Sequence, residues 1–327
     1  MLEVKNITVT FETDEGVFKA VDDISFNINK NEIVGLVGES GCGKSVTALS
    51  ILRLIPLPSG RIEKGEILFN GKALLKLDTG EMRKMRGKKI SMIFQEPASA
   101  LSPLHRIGQQ MVETILLHKD KTNKEAWNIA ENWLKRVRIP DAEERMFAYP
   151  YQLSGGMQQR VMIAMALMLE PDLVIADEPT TALDVTIQAQ IFELIREMRR
   201  SRTAVLLITH DMGVIWEMCD RVIVMYASRI VEEGSKSDIF SKPAHPYTIG
   251  LLKSIPRLFP KLSNDAGRLK AIPGYVPSPY NYPSGCHFRD RCPDAFNKCK
   301  KEIPEFVDLG QGHRAACFLV RKNEQSN

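Results

Sequence analysis

The sequence predicts an α/β fold, a core of parallel strands and helices followed by an irregular cysteine-rich extension. Three observations predict it. A short apolar strand, Glu32 to Val37 (EIVGLV), runs into a glycine-rich loop, Gly38 to Ser45 (GESGCGKS), and then into a stretch with helical apolar spacing, SVTALSILRLI. A second apolar strand, within LVIADEP after Pro171 and Asp172, ends in two acids, Asp177 and Glu178. Four of the six cysteines of this 327-residue chain fall in its last stretch, behind a proline-rich connector.

Taken in order, LEVKNITVT (2–10) and AVDDISFNI (20–28) alternate in character and are rich in β-branched residues, with turn-like TDEG between them, so they form a hairpin. The loop that follows fits G-x-x-x-x-G-K-[ST] in the strand, loop and helix context the pattern requires, which makes the protein a nucleotide user. Gly38, Gly41 and Gly43 let backbone N–H groups approach phosphate oxygens, and the next helix points its positive end at the same anion. Lys44 is expected at the β- and γ-phosphates and Ser45 on Mg²⁺. Glu39, Ser40 and Cys42 fill out the cradle. Cys42 is a small side chain there, and exposure near a helix N-terminus would lower its pKa and make it oxidisable. Gly60 to Gly71 (with GEILFNG) closes a small mixed sheet over the nucleotide. Phe11, then Phe18, is the candidate to stack on the base, against a plain core role for either.

Lys89 to Phe94 (KISMIF) is a strand ending at Gln95, and from about 105 to 148 the sequence is helical and polar, a subdomain grafted on the α/β core. Leu153 to Gln159 (LSGGMQQ) then opens a helix, VMIAMALML. Ser154, Gly155 and Gly156 sit at its N-terminus, a second anion-binding arrangement. The strand ending in Asp177 and Glu178 places both acids at the carboxyl edge of a parallel sheet. Asp177 is suited to hold Mg²⁺ and Glu178 to polarise an attacking water, where a bare helix cap is the other reading. Thr181-Ala182-Leu183-Asp184 follows at once. AVLLIT (204–209) is a strand with His210 at its tip, by itself an ordinary surface histidine.

The formal charge of +4 is mild. Arg83, Lys84, Arg86, Lys88 and Lys89 crowd together, which suits a solvated helix end better than nucleic acid or an anionic membrane. No apolar run approaches the ~18 residues of a spanning helix, and MLEVKN has neither a basic nor an apolar leader segment. Nothing in it directs export, and in a cytosolic chain structural disulfides are not expected.

In order and spacing, GESGCGKS, Gln95, LSGGMQQ, VIADE, TALD and His210 resemble the nucleotide-binding subunit of an ABC transporter, over residues 1 to about 235. LSGG is the most specific element. The resemblance implies a P-loop NTPase core of ABC type with an antiparallel β subdomain and a helical subdomain at about 96–160. It implies a domain at 1–235 and an extension at 236–327. Two such subunits pair head to tail, each ATP lying between the phosphate loop of one and the LSGG segment of the other. Residue by residue, Gln95 becomes a Mg²⁺ and water contact and Ser154 to Gln158, with Gly155 and Gly156, the cap on the partner's γ-phosphate. Glu178 becomes the general base, Asp184 the organiser of the dimer contact and His210 the holder of the γ-phosphate. Lys242 to Thr248 (KPAHPYT) is similar to the HPY segment of oligopeptide, dipeptide and nickel importers, and the loop and TALD segments resemble their D-type ATPase. The partners so implied are two transmembrane permeases, an F-type ATPase paralogue and, indirectly, an extracytoplasmic peptide-binding protein, with no nucleic acid. The place implied is peripheral, on the cytoplasmic face of the cell membrane. A nickel importer, and a soluble ABC ATPase of DNA repair or translation, stand as alternatives.

Residues 273–285 (PGYVPSPYNYPSG) carry four prolines and read as an extended connector whose tyrosines pack along the surface or meet a partner. Cys286, Cys292, Cys299 and Cys317 follow with spacing C-x5-C-x6-C-x17-C. A metal site accounts for them: a 4Fe-4S cluster, since the paired C-x2-4-C knuckles of structural zinc are missing, with Zn²⁺ the alternative. The resemblance points the same way. His287 and His313 are near enough in sequence to substitute. Such a cluster staples a small appendage or senses redox state. Cys219, in IWEMCDRV, is core.

Overall fold

The computed structural model describes residues 1–180, 183–200, 202–255 and 271–320. Thr181 and Ala182 of the TALD segment lie outside the described residues, as do 256–270 and 321–327 of the extension. Contacts divide the chain into two units. Met1–Ile28, Ile33–Leu75 and Ile208–Asn327 form the first, Asn29–Glu32 and Lys76–Leu207 the second.

In the first unit, Leu2–Thr13 and Gly16–Ile28 make the expected hairpin, with Phe11 opposite Phe18 and Thr13 opposite Gly16 across a two-residue turn. Gly60–Phe69 enters beside Phe11, leaves beside Leu2 and pairs in turn with Lys72–Ala73. Every pairing of this sheet is antiparallel, as the family likeness implies, so the mixed sheet expected from the strand pattern alone is corrected. The reason is the direction of entry: Gly60 starts where the hairpin turns, and the strand must run back against Leu2–Thr13.

The other sheet of this unit runs Val307–Asp308, Arg314–Ala315, Arg229–Ser235, Arg221–Tyr226, Ile33–Val37. Ile33–Val37 is buried at every residue, as a strand covered on both faces must be. It lies parallel to Arg221–Tyr226 with Val37 opposite Val224, so residue 38 leaves the sheet beside Met225. Arg314–Ala315 adds antiparallel to Arg229–Ser235, which covers an otherwise open strand edge with the extension's own chain. The connector 273–285 holds no α-helix, only a 3-10 turn at Pro279–Asn281. Helix Met212–Met218 stops just before Cys219, which is buried as expected.

In the second unit, Ile90–Ile93 and Leu173–Asp177 are parallel, Ile93 opposite Ala176, and Ala204–Ile208 flanks Leu173–Asp177. All three strands are buried throughout. The helical insertion appears as Ile107–His118, Asn123–Arg136 and Ala142–Arg145. Thr122 and Glu125 box the start of the middle helix, whose Ala126, Ala130, Trp133 and Leu134 form its buried stripe. The basic tract is the solvated end of helix Thr79–Met85 and the loop after it, with Arg83, Lys84, Lys88 and Lys89 exposed and Lys89 paired to Asp172 at 3.0 Å. Among the described residues, no helix is long and apolar enough to cross a membrane.

Candidate nucleotide site

The phosphate loop leaves Val37 in a conformation that only glycine fits. Gly38 has φ +153°, and a Cβ on it would lie 2.2 Å from the Met225 carbonyl oxygen. Gly43 has φ +105° and caps helix Lys44–Ile51, and its Cβ would lie 2.4 Å from the Ala20 carbonyl oxygen. Both glycines are therefore required by neighbouring strands of their own unit as well as by any phosphate. Lys44 is buried and folds back over the loop, donating to the carbonyls of Gly38 at 2.8 Å and Glu39 at 3.0 Å. The ammonium is thus held against the loop's own backbone. Ser45 is half-buried in the first helical turn and Ser40 is exposed.

Two expectations about this loop change. Cys42 is 1 % exposed, and burial pushes its thiol pKa up, so the exposed, oxidisable thiol expected from its place near a helix end is corrected. Glu39 is committed to residues far along the chain. Its backbone N–H donates to the Tyr247 hydroxyl at 2.9 Å, and its carboxylate accepts two bonds from Arg291, at 2.6 Å and 2.9 Å.

Phe11 and Phe18 are half-buried and stacked, 5.7 Å between centroids, and Tyr280 of the connector meets Phe18 edge-on at 5.0 Å. Neither phenylalanine is core. Tyr280 is tied to this step by a 2.7 Å hydrogen bond with the Thr13 hydroxyl. His210, also in the first unit, is exposed just after strand Ala204–Ile208, and Asp211 beside it caps helix Met212–Met218.

In the second unit the parallel register brings two predicted residues together. With Ile93 opposite Ala176, the chains leave the sheet side by side, and Gln95 Nε2 donates to Glu178 Oε2 at 3.1 Å. Glu178 has φ +45°, a left-handed backbone that an ordinary residue adopts only where its surroundings enforce it. Asp177, 4 % exposed, is the last strand residue. Ser154 caps helix Gly155–Leu167 by accepting from Met157 N–H at 3.3 Å, which leaves its own hydroxyl proton to donate outward. A Cβ on Gly155 would meet nothing within 4 Å, so this corner is open. Gln158 turns inward and holds the corner's shape through the Pro150 and Leu153 carbonyls, at 2.9 Å and 3.2 Å. Asp184 is exposed and caps helix Val185–Arg200 through Ile187 N–H at 2.9 Å. Gln159, not singled out from sequence, is fully buried and donates to the Pro179 carbonyl at 2.6 Å, bracing the segment after the two acids.

The four tail cysteines are all free thiols of the first unit. The thiol pKa values of Cys286 and Cys317 are pushed up to about 11, chiefly by burial and in smaller part by the charge of the other cysteines. Among the described residues, however, no group of three or more His, Cys, Asp or Glu side chains converges as a metal would need. The four-cysteine ligand set expected from the spacing is therefore not assembled among the described residues. Both histidine substitutes are engaged elsewhere, His287 with the Ala227 carbonyl and His313 with Glu232.

With the loop, the capped LSGG corner and the paired Gln95 and Glu178 in place, the comparisons with known proteins are decisive. The family "ABC transporter" matches residues 21–181, and "Oligopeptide/dipeptide transporter, C-terminal region" matches 231–299. The chain is 48% identical to a probable peptide ABC transporter ATP-binding protein of Sinorhizobium fredii, over 100% of this chain and 96% of that one. The chain belongs to the ABC transporter family. Other members similar to it are the oligopeptide transport ATP-binding protein OppD of Salmonella typhimurium, 46% identical over 97% of this chain and 93% of that one, and the dipeptide transport ATP-binding protein DppD of Bacillus subtilis, 48% identical over 98% and 94%. Among solved structures, the ATP-binding cassette MJ0796, a dimer in a post-hydrolysis state with ADP and Pi, superposes with TM-score 0.66 at 29% identity, over 72% of this chain and 99% of that one. As an ABC ATP-binding subunit, the chain is an ATPase.

Proposed function

We propose that this ATPase powers the uptake of di- and oligopeptides through a membrane importer, seated peripherally on its cytoplasmic face. The observation that carries the reading is the likeness of the whole chain, extension included, to proteins named for peptide transport. In this reading residues 1–235 are the nucleotide-binding domain, with a helical subdomain at about 96–160, and 236–327 the importer-specific extension. The chain pairs head to tail with a second ATPase subunit, an F-type paralogue, under two permeases that receive cargo from an extracytoplasmic binding protein.

The residue roles in this reading are those the family resemblance implies. Gly38 to Ser45 hold the phosphates, with Lys44 as the cation among the loop's N–H groups. Ser45, Gln95 and Asp177 would hold Mg²⁺, whose chemistry is to neutralise charge developing on the phosphoryl oxygens. Phe11 stacks on adenine. Ser154, Gly155, Gly156 and Gln158 build the corner offered to the other subunit's nucleotide, and Asp184 shapes that contact. Glu178 takes the proton of the attacking water, its carboxylate oriented by Gln95. His210 holds the γ-phosphate. Replacing Glu178 by Gln keeps the shape and the Gln95 contact but removes the base. ATP binding is expected to persist while turnover of the assembled transporter falls by at least about 10²-fold. Hydrolysis retained at the wild-type rate refutes the assigned base.

For the tail, the sequence spacing of four cysteines supports a soft-metal site, 4Fe-4S with Zn²⁺ as the alternative, in which metal would draw Cys286, Cys292, Cys299 and Cys317 together as thiolates. Iron and acid-labile sulfide are expected in anaerobically purified protein. Stoichiometric zinc without iron rules out the cluster, and absence of both rules out the site.

A further inference from the structure

A carboxylate inside a phosphate loop opposes the ligand the loop is built to hold. Glu39 stands between Gly38 and Ser40, and an unscreened negative charge there repels ATP through several kT at an effective dielectric of about 20. The structure answers this charge with Arg291. Its side chain, 6 % exposed, donates both terminal nitrogens to the two Glu39 carboxylate oxygens, the fork geometry that gives a charged pair both strength and direction. The guanidinium is fixed in turn by the Pro273 carbonyl at 2.9 Å and the Tyr226 hydroxyl at 3.3 Å, so it does not swing with the loop. A third fastening comes from the extension's HPY segment. Tyr247, fully buried, accepts the Glu39 backbone N–H, and His245 caps the helix Pro246–Lys253 that begins beside it. Arg291, Pro273 and Tyr247 all lie beyond residue 235.

We propose that Arg291 is a positioning residue of the ATP site, neutralising Glu39 and drawing its carboxylate away from the phosphates so that the loop presents N–H groups and Lys44 alone. The extension is then a working part of nucleotide binding, in addition to anything it does toward the importer. Arg291 touches no nucleotide; it acts through Glu39.

The test is a double-mutant cycle on the full-length chain, reading equilibrium affinity for ATP and for AMP. Arg291→Gln is expected to weaken ATP about tenfold, from an uncompensated charge within the phosphate loop, and AMP much less. The defect should shrink as salt is raised, because the repulsion is screened. The decisive variant is Arg291→Gln with Glu39→Gln. Removing the carboxylate as well should restore most of the lost ATP affinity, which no purely structural role of Arg291 produces. Glu39→Gln alone keeps Arg291 seated on Pro273 and Tyr226, so it serves if Arg291→Gln fails to fold: ATP binding tighter than wild type is expected from it, since the repelling carboxylate leaves while the Arg291 charge stays. A double variant as weak as Arg291→Gln, wild-type ATP affinity in Arg291→Gln, or a loss of ATP affinity in Glu39→Gln alone overturns the proposal. Wild-type ATP binding is the control, and only its failure touches the ATPase assignment itself.

Discussion

At the scale of single residues, two glycines of the phosphate loop that look alike in sequence are unequal in structure. Gly38 is packed against the Met225 carbonyl, whereas a Cβ on Gly41, at φ +78°, meets nothing within 4 Å. Gly38→Ala must therefore displace a buried strand and is expected to cost more than about 2 kcal/mol, while Gly41→Ala costs only the left-handed backbone penalty of about 1 kcal/mol. Urea midpoints of the two variants measure the difference, and equal midpoints contradict it. The loop's existence was legible because its pattern is local. Its attachments were not: Tyr247 and Arg291 sit 208 and 252 positions from Glu39, and no periodicity or spacing encodes a contact at such separation. Cys42 misled for a related reason, since a helix N-terminus is visible in sequence and the burial of the thiol is not.

At the scale of elements, strands and helices followed from apolar period and caps, as the buried Leu173–Asp177 and the boxed Asn123–Arg136 show. The sheet's parallel register, which pairs Gln95 with Glu178, needed the structure. The helix Pro246–Lys253 gives this level its own test. Its cap, His245, is 1 % exposed, and burial pushes its pKa from 6.5 down to about 4, against the opposing pull of Glu232. Between those values the unfolded chain binds a proton that the folded chain refuses, so stability falls as pH drops below about 6.5 and this loss ends near pH 4. At pH 5 it amounts to about 2 kcal/mol. Glu232, whose pKa is lowered despite its burial by bonds from His313, Thr248, Ala244 and His245, adds a loss of the same sign at lower pH. His245→Asn keeps a capping acceptor and removes the titration, so its melting temperature should change less between pH 7 and pH 5 than that of wild type. An unchanged pH dependence counts against this account.

At the scale of the whole molecule, the extension is continuous with the first unit: one of its strands lies on Arg229–Ser235 and its arginine reaches the phosphate loop. Affinity between two parts of one chain is a free energy shared by both. If the extension readies the loop for ATP, thermodynamic reciprocity requires ATP to tighten the hold on the extension by the same factor. The tail would then be firmest when the nucleotide is bound and loosest after its release, so a protein meeting that surface could sense the stage of the ATP cycle without touching the nucleotide.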